Sequence, residues 1–191
     1  MMKYLFLTLF VVIFVSCGEY DPGPDQHFSD FGLTFDFAGD WSITEQEVFD
    51  GGFYLSCERK GMKSSGLVTI SYIGFIMEEI DMISLIKNEM KSNPLYQSSD
   101  LSFVNQKDTL FNGYRCLQSD YEVGVMGIPH RGSIYCFISC EKTFSVLFQE
   151  AIEDEDLNSD GFDKVRYSFK CIEPLKTEAD STYYMDTTLV Q

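Results

Sequence analysis

Positive charge is scarce in this chain of 191 residues: 14 lysines and arginines stand against 30 aspartates and glutamates, a formal net charge of −16. A body so acidic repels phosphate backbones and anionic headgroups, which excludes sequence-independent nucleic-acid binding on sign alone. Acidity of this kind serves solubility first, and it also suits a basic partner or divalent cations. Histidine is scarcer still, with His27 and His130 the whole supply. A nucleophilic Cys or Ser needs a base within hydrogen-bond reach and a third group to orient that base. His27 lies in a stretch of Pro, Gly and acids, and His130 follows Pro129 in what reads as an exposed hairpin loop. Neither has a supporting motif. A glycine-rich phosphate loop is also missing, because Gly124 and Gly127 lack the wider spacing and the lysine. No residue set amounts to a catalytic site, and no cofactor is expected.

Long apolar runs are absent apart from the first one. Lys3 gives a short positive start, and Tyr4 to Val15 is apolar except for Thr8. The run is short of the roughly 20 residues that span a bilayer. It fits a secretory h-region of about 7–15 residues closed by small Ser16. Phe14, Val15, Ser16 and Cys17 follow, and there the sequence resembles a bacterial lipoprotein signal, with Phe14 where that family usually carries leucine. The resemblance implies a diacylglyceryl group on the Cys17 thiol and cleavage between Ser16 and Cys17. Several fatty acyl chains, of the palmitate kind, would anchor stably at about 0.8 kcal/mol per buried CH₂. The plainer alternatives are an ordinary signal peptide or an uncleaved anchor. Gly18 follows instead of the aspartate that retains some lipoproteins at the inner membrane, which favours the outer membrane. Glu19 and Asp21 loosely resemble signals for display on the cell surface.

The stretch GEYDPGPDQH after Cys17 reads as a spacer, since Pro extends the backbone and the acids repel one another. Short alternating runs come next. Phe31, Leu33, Phe35 and Phe37 recur at period two. Asp50-Gly51-Gly52 separates WSITEQEVF from FYLSCERK, and Asn112-Gly113 separates DTLF from YRCLQ; both are hairpin chemistry. LVTISYIGF, the alternation of Tyr121, Val123 and Val125, SIYCFISC and TFSVLFQ supply further strands. GIPHRG reads as a loop, and a tight turn is expected at Glu141-Lys142.

Two segments change period. Ile76, Ile80, Ile83, Ile86 and Met90 fall three and four apart and predict a helix stopped by Pro94. Phe162, Val165, Phe169 and Ile172 repeat the spacing, with Ser159 or Asp160 able to cap the start. Hairpins give antiparallel neighbours, so the fold class is α+β: an antiparallel β-sheet with helices packed on it. FDFAGDWSI, the helix from about Asp81, the Asn112-Gly113-Tyr114 hairpin and the closing VRYSFK together resemble the PsbP-like superfamily, which includes the envelope lipoprotein DcrB. That family usually has a proline before the Trp turn, where this chain has Gly39-Asp40-Trp41. The resemblance covers roughly Phe31 to Ile172 and implies an α/β/α sandwich that binds or assists larger assemblies. The expected organisation is a leader over 1–16, a lipidated cysteine and flexible spacer over 17–29, one domain over 30–172, and a polar tail over 173–191.

DLNSDGFDKVRY presents Asp156, Asn158, Asp160 and Gly161 at positions one, three, five and six of a calcium loop. Position twelve, which should give a bidentate Glu, is Tyr167, and Asp163 sits at position eight. An acidic surface loop capping the last helix is the favoured reading, so no metal is expected, with calcium as the alternative. Five cysteines remain beside Cys17: Cys57, Cys116, Cys136, Cys140 and Cys171. Cys136 and Cys140 read as one strand face, about 13 Å apart, too far to bond each other. Most of the five read as buried apolar thiols, and one disulfide between neighbouring strands stays open. The sequence thus predicts a lipid-anchored, non-enzymatic accessory or binding module of the cell envelope, its partners the bilayer and another envelope protein. An envelope enzyme with a scattered site is the rival reading, and a calcium module at Asp156–Asp163 the third.

Overall fold

The alternating runs do form strands, and the helical stripes do lie on a sheet. The computed structural model describes residues 22–61, 64–97 and 100–172. In chain order these are β1 (Gln26–Asp30), β2 (Leu33–Phe37), β3 (Trp41–Phe49), β4 (Gly52–Arg59), β5 (Leu67–Ile73), α1 (Glu79–Ser92), the four-residue α2 (Pro94–Gln97), β6 (Ser102–Phe111), β7 (Tyr114–Val125), β8 (Ile128–Ser139), β9 (Lys142–Ala151), α3 (Glu155–Ser168) and β10 (Lys170–Cys171). Seven strands make the main sheet in the order β3-β4-β5-β9-β8-β7-β6, every pair antiparallel. A small sheet, β1-β2-β10, lies apart from it.

The main sheet is apolar on both faces at its centre. On one face Met82, Ile83 and Met90 of α1 pack on Tyr121, Val123, Ile134 and Cys136. On the other, Leu33, Phe35 and Phe37 of β2 and Val165 of α3 pack on Leu55, Val68, Phe137, Phe144 and Phe148. The result is an α/β/α sandwich whose second outer layer shares its place with the small sheet. Phe169, fully buried at the end of α3, stands edge-on to Phe111, Phe137 and Phe144 at ring-centroid distances of 5.5–5.8 Å. Such edge-to-face pairs contribute about 0.5–1.5 kcal/mol beyond burial.

Several expectations need correction. Residues 26–29, expected within the flexible spacer, belong to β1, with Gln26 donating to the Trp41 carbonyl at 2.9 Å. Phe31 is a turn residue at φ 52°, and the alternating strand begins at Leu33. Ile76 and Ile80 are exposed, whereas Met82 joins Ile83 and Met90 against the sheet. GIPHRG lies mostly in a strand: the turn is Met126-Gly127, and β8 already pairs at Ile128. Pro129 fits there because β9 ends opposite His130, so no strand on that side asks for its N–H. Cys140 leaves its strand: β8 ends at Ser139, and Cys140-Glu141 is the turn, at φ 48° and 58°.

The last helix begins at Glu155, with neither Ser159 nor Asp160 capping it. Asp154 precedes it, and its carboxylate accepts instead from Ser65 Oγ at 2.7 Å. Gly161 therefore lies inside α3, where it faces the single tryptophan. A methyl group at Gly161 would sit 2.4 Å from Trp41 Cε2, so the missing side chain is what lets the helix reach Trp41. Alanine would favour the helix by about 1 kcal/mol, whereas overpacking a filled core costs about 1–3 kcal/mol. Contacts of 2.4–2.6 Å to three atoms of a buried ring put the packing cost at the upper end of that range, so Gly161→Ala is expected to lower stability by about 1–2 kcal/mol in urea unfolding followed by Trp41 fluorescence.

Candidate functional site

Of the residues singled out by sequence, Cys17 lies outside the described residues, as do the leader and the polar tail beyond 172. The calcium-loop reading meets a helix. Asp156, Asn158 and Asp160 sit two apart on α3, about 200° round its axis at each step. Asn158 is fully buried beside Trp41 and Gly66, while Asp156 and Asp160 are exposed. They do not converge on one point. Among the described residues no group of three or more His, Cys, Asp or Glu is placed to hold a metal ion. His130, expected in an exposed loop, is buried in β8, with Nδ1 2.9 Å from the Ile128 carbonyl. His27 lies on β1 between Asp36 at 2.6 Å and Thr34 at 3.1 Å.

The cysteines separate into two kinds. Cys140 and Cys171 form a disulfide with Cα atoms 6.3 Å apart, tying the β8–β9 turn to the small sheet. Neither partner is in a neighbouring strand of one sheet, so pattern reading had no means of pairing them. Closing a loop of 31 residues removes chain entropy worth about 3–4 kcal/mol. Cys57, Cys116 and Cys136 are buried thiols, as expected. Burial pushes the Cys57 thiol up to about 12 and Cys116 up to about 11, and raises Cys136 as well. The thiolate is the nucleophile, so these three are inert near neutrality.

Two surface features remain. The first is apolar. Gly74 donates to the Gly51 carbonyl at 2.6 Å, which brings the β5–α1 connection against the β3–β4 hairpin. Phe75 and Ile76 on one, and Val48 and Phe49 on the other, are all exposed, at 45–62%.

The second is polar. On the face shared with α3 the strands are apolar at Cys116, Tyr135, Phe137 and Phe148, and further along β7, β8 and β9 the same face turns polar. β7 contributes Gln118 and Asp120, β8 Arg131 and Ser133, β9 Glu150, and α3 Arg166 to a cleft of about 380 Å³. Asp120 Oδ1 accepts from Gln118 Nε2 at 2.6 Å and from Ser133 Oγ at 2.7 Å. Arg131 donates Nε and Nη2 to Glu150 Oε1 at 3.1 and 2.9 Å and also reaches Glu155 at 2.6 Å. Arg166 lies over the Tyr135 and Phe148 rings and donates Nη2 to the Tyr135 hydroxyl at 2.7 Å. Sequence reading missed this cleft because its members come from four elements. The one available signal was polar residues on strand faces that are apolar elsewhere, at 118, 120, 131, 133 and 150.

An antiparallel sheet between α1 and a layer of α3 with a small sheet is the PsbP-like fold. No family model matches the chain, and no curated protein does. Solved structures do. The solution structure of cyanobacterial PsbP (CyanoP) from Synechocystis superposes with a TM-score of 0.55 at 17% identity, over 82% of this chain and 97% of that one. A crystal structure of a protein from Bacteroides thetaiotaomicron gives 0.51 at 12% identity, over 83% of this chain and half of that one. LpqN, involved in cell envelope biogenesis of Mycobacterium tuberculosis, gives 0.44 at 12% identity over 78% of this chain and 91% of that one.

The thiol placement is directly testable. At neutral pH a maleimide reagent should leave Cys57, Cys116 and Cys136 unlabelled in the folded chain and label them on unfolding. Above the ordinary thiol value of 9.0 the unfolded chain loses these protons first, so stability should fall as pH rises from about 9 towards 11. Rapid native labelling of Cys57 would contradict its burial.

Proposed function

We propose that this chain is a lipid-anchored cell-envelope protein that binds a partner protein and turns over no substrate. Cys17 is the attachment point, on the pattern Phe14-Val15-Ser16-Cys17, and Gly18 directs it to the outer membrane rather than the inner. Anchoring confines the domain near a bilayer and so raises its effective concentration toward other envelope proteins. The Cys140–Cys171 disulfide supports an exported life, since such bonds persist in oxidising compartments. Among the described residues no helix is long and apolar enough to cross a membrane.

The observation that carries the partner-binding reading is the exposure of Phe49, Phe75 and Ile76, with Val48 on the opposite face of its strand, where the Gly74–Gly51 hydrogen bond joins the two segments. Single exposed apolar side chains are ordinary, but adjacent large ones on a rim of polar residues mark contact surfaces. A few residues dominate the energy at such surfaces, aromatic ones among them, and truncating one of those costs about 2 kcal/mol or more.

Crosslinking in the native membrane, followed by recovery of the intact chain, tests this. The chain should return joined to another envelope protein, and Phe75→Asp should reduce that product at least tenfold. Cys17→Ala should abolish incorporation of labelled palmitate. Recovery of the chain alone, while it turns over an envelope substrate, would contradict the reading.

A further inference from the structure

We propose that the polar cleft between β7, β8, β9 and α3 is a binding site for a neutral saccharide. The site is separate from the apolar patch and does not depend on the lipid anchor. Its volume, about 380 Å³, falls within the roughly 300–1,000 Å³ of small-molecule sites.

Unmet polar atoms point to a ligand. Glu150 is 7% exposed, and its Oε2 has no hydrogen-bond partner among the described residues, although Oε1 takes both bonds from Arg131. Arg166 Nε, on the other wall, is likewise buried without one. Leaving such groups unpaired costs about 1–3 kcal/mol each, more where the group is charged. Glu150 and Arg166 both line a cleft that opens to solvent, which brings an entering molecule beside them. Arg131 lies across Glu150, is 39% exposed on its side chain, and already holds Glu155 at the rim. Its bonds go to Oε1 and to Glu155, which leaves Oε2 unpaired among the described residues.

The two unmet atoms have opposite needs, and this selects the chemistry. Glu150 Oε2 requires a donor; Arg166 Nε requires an acceptor. An amine would satisfy only the first. A fully deprotonated anion would satisfy only the second, and any anion, protonated phosphate included, would approach a chain of formal charge −16. A hydroxyl group serves as donor and acceptor at once. The floor also consists of flat, two-pronged side chains: Gln118, Asp120, Arg131, Glu150 and Arg166. Each carries two or more polar atoms, part of them already bonded to a neighbour, and the remaining ones can meet hydroxyls on one ring. Phe162, half-buried and stacked on Phe148 at 5.0 Å, gives an apolar wall for the ring's C–H face. A peptide is disfavoured, because β7, β8 and β9 each have neighbours on both sides and present no free backbone edge in the cleft.

The test is an amide-resolved NMR titration of the intact chain, held in a detergent without a sugar headgroup. The probes are neutral trisaccharides of glucose, mannose, galactose and N-acetylglucosamine, with inorganic phosphate, lysine amide and trialanine amide as rivals. At least one trisaccharide should shift the amides of Gln118, Asp120, Ser133 and Glu150, and the three rivals should not. Arg166→Met keeps the stem over Tyr135 and should weaken that binding at least tenfold. Glu122→Ala, at the exposed rim of the cleft, serves if Arg166→Met fails to fold, and should weaken binding about threefold, as loss of one rim hydrogen bond does. The proposal is overturned if no trisaccharide moves the cleft amides or if a rival moves them instead. It is also overturned if the folded variant binds as tightly as the parent chain.

Discussion

A sheet that is apolar on both faces at its centre is the constraint from which the rest of this molecule follows. Val146, Phe148 and Phe144 of β9 face α3 and the small sheet, while Ile134 and Cys136 of β8 face α1. Such a sheet cannot stay in water, and burial at about 25 cal/mol per Å² of apolar surface draws a layer onto each side. α1 covers one face. The other needs two pieces, α3 and the β1-β2-β10 sheet, because neither is wide enough alone. They reach Phe111 of β6 and Cys116 of β7 but leave one end of β7, β8 and β9 uncovered, and there the strand faces turn polar. The cleft is thus a consequence of a cover shorter than its sheet.

The close fit of the second layer depends on a few contacts. Trp41, 1% exposed, sits under Gly161 and edge-on to Phe162 at 5.5 Å. Asp40, next to it, is paired with Arg59 at 2.7 Å, and both side chains are nearly buried. Removing one member of such a pair is costly because the other charge is left stranded. On the opposite face, Gln149 Oε1 accepts from the Tyr121 and Tyr96 hydroxyls at 2.9 and 3.1 Å, which satisfies polar groups beneath the helical layer. Burial drives the Tyr121 hydroxyl well above its usual range, so it stays a donor.

Local signals were legible in the sequence where local physics decides. Asn112-Gly113 makes the expected hairpin, with both residues at positive φ, and Asp50-Gly51 does the same work between β3 and β4. The stripe through Ile83 and Met90 found α1, but Ile76 precedes the helix and Ile80 sits on its outer side. The last helix shows the limit. Asn158, Ser159, Asp160 and Gly161 carry turn preferences, and tertiary packing against Trp41 overrides them. Their resemblance to a calcium loop arises from residues chosen for a buried contact and a solvated face. β10 and the Cys140–Cys171 bond were invisible because their partners lie far away in sequence. The cleft was invisible for the same reason.

Function divides along the same line as structure. The covered centre holds the fold together, and the exposed apolar residues near Phe75 and the polar cleft are the surfaces on which the proposed binding rests. Hydrogen–deuterium exchange on the intact chain tests that division most directly. The account predicts that amides of β5, β8 and β9 exchange slowest, and that β6 and the outer edge of β3 exchange far faster. Equal protection across all seven strands would contradict it, since it would mean that the edge strands β3 and β6 are held as firmly as the centre.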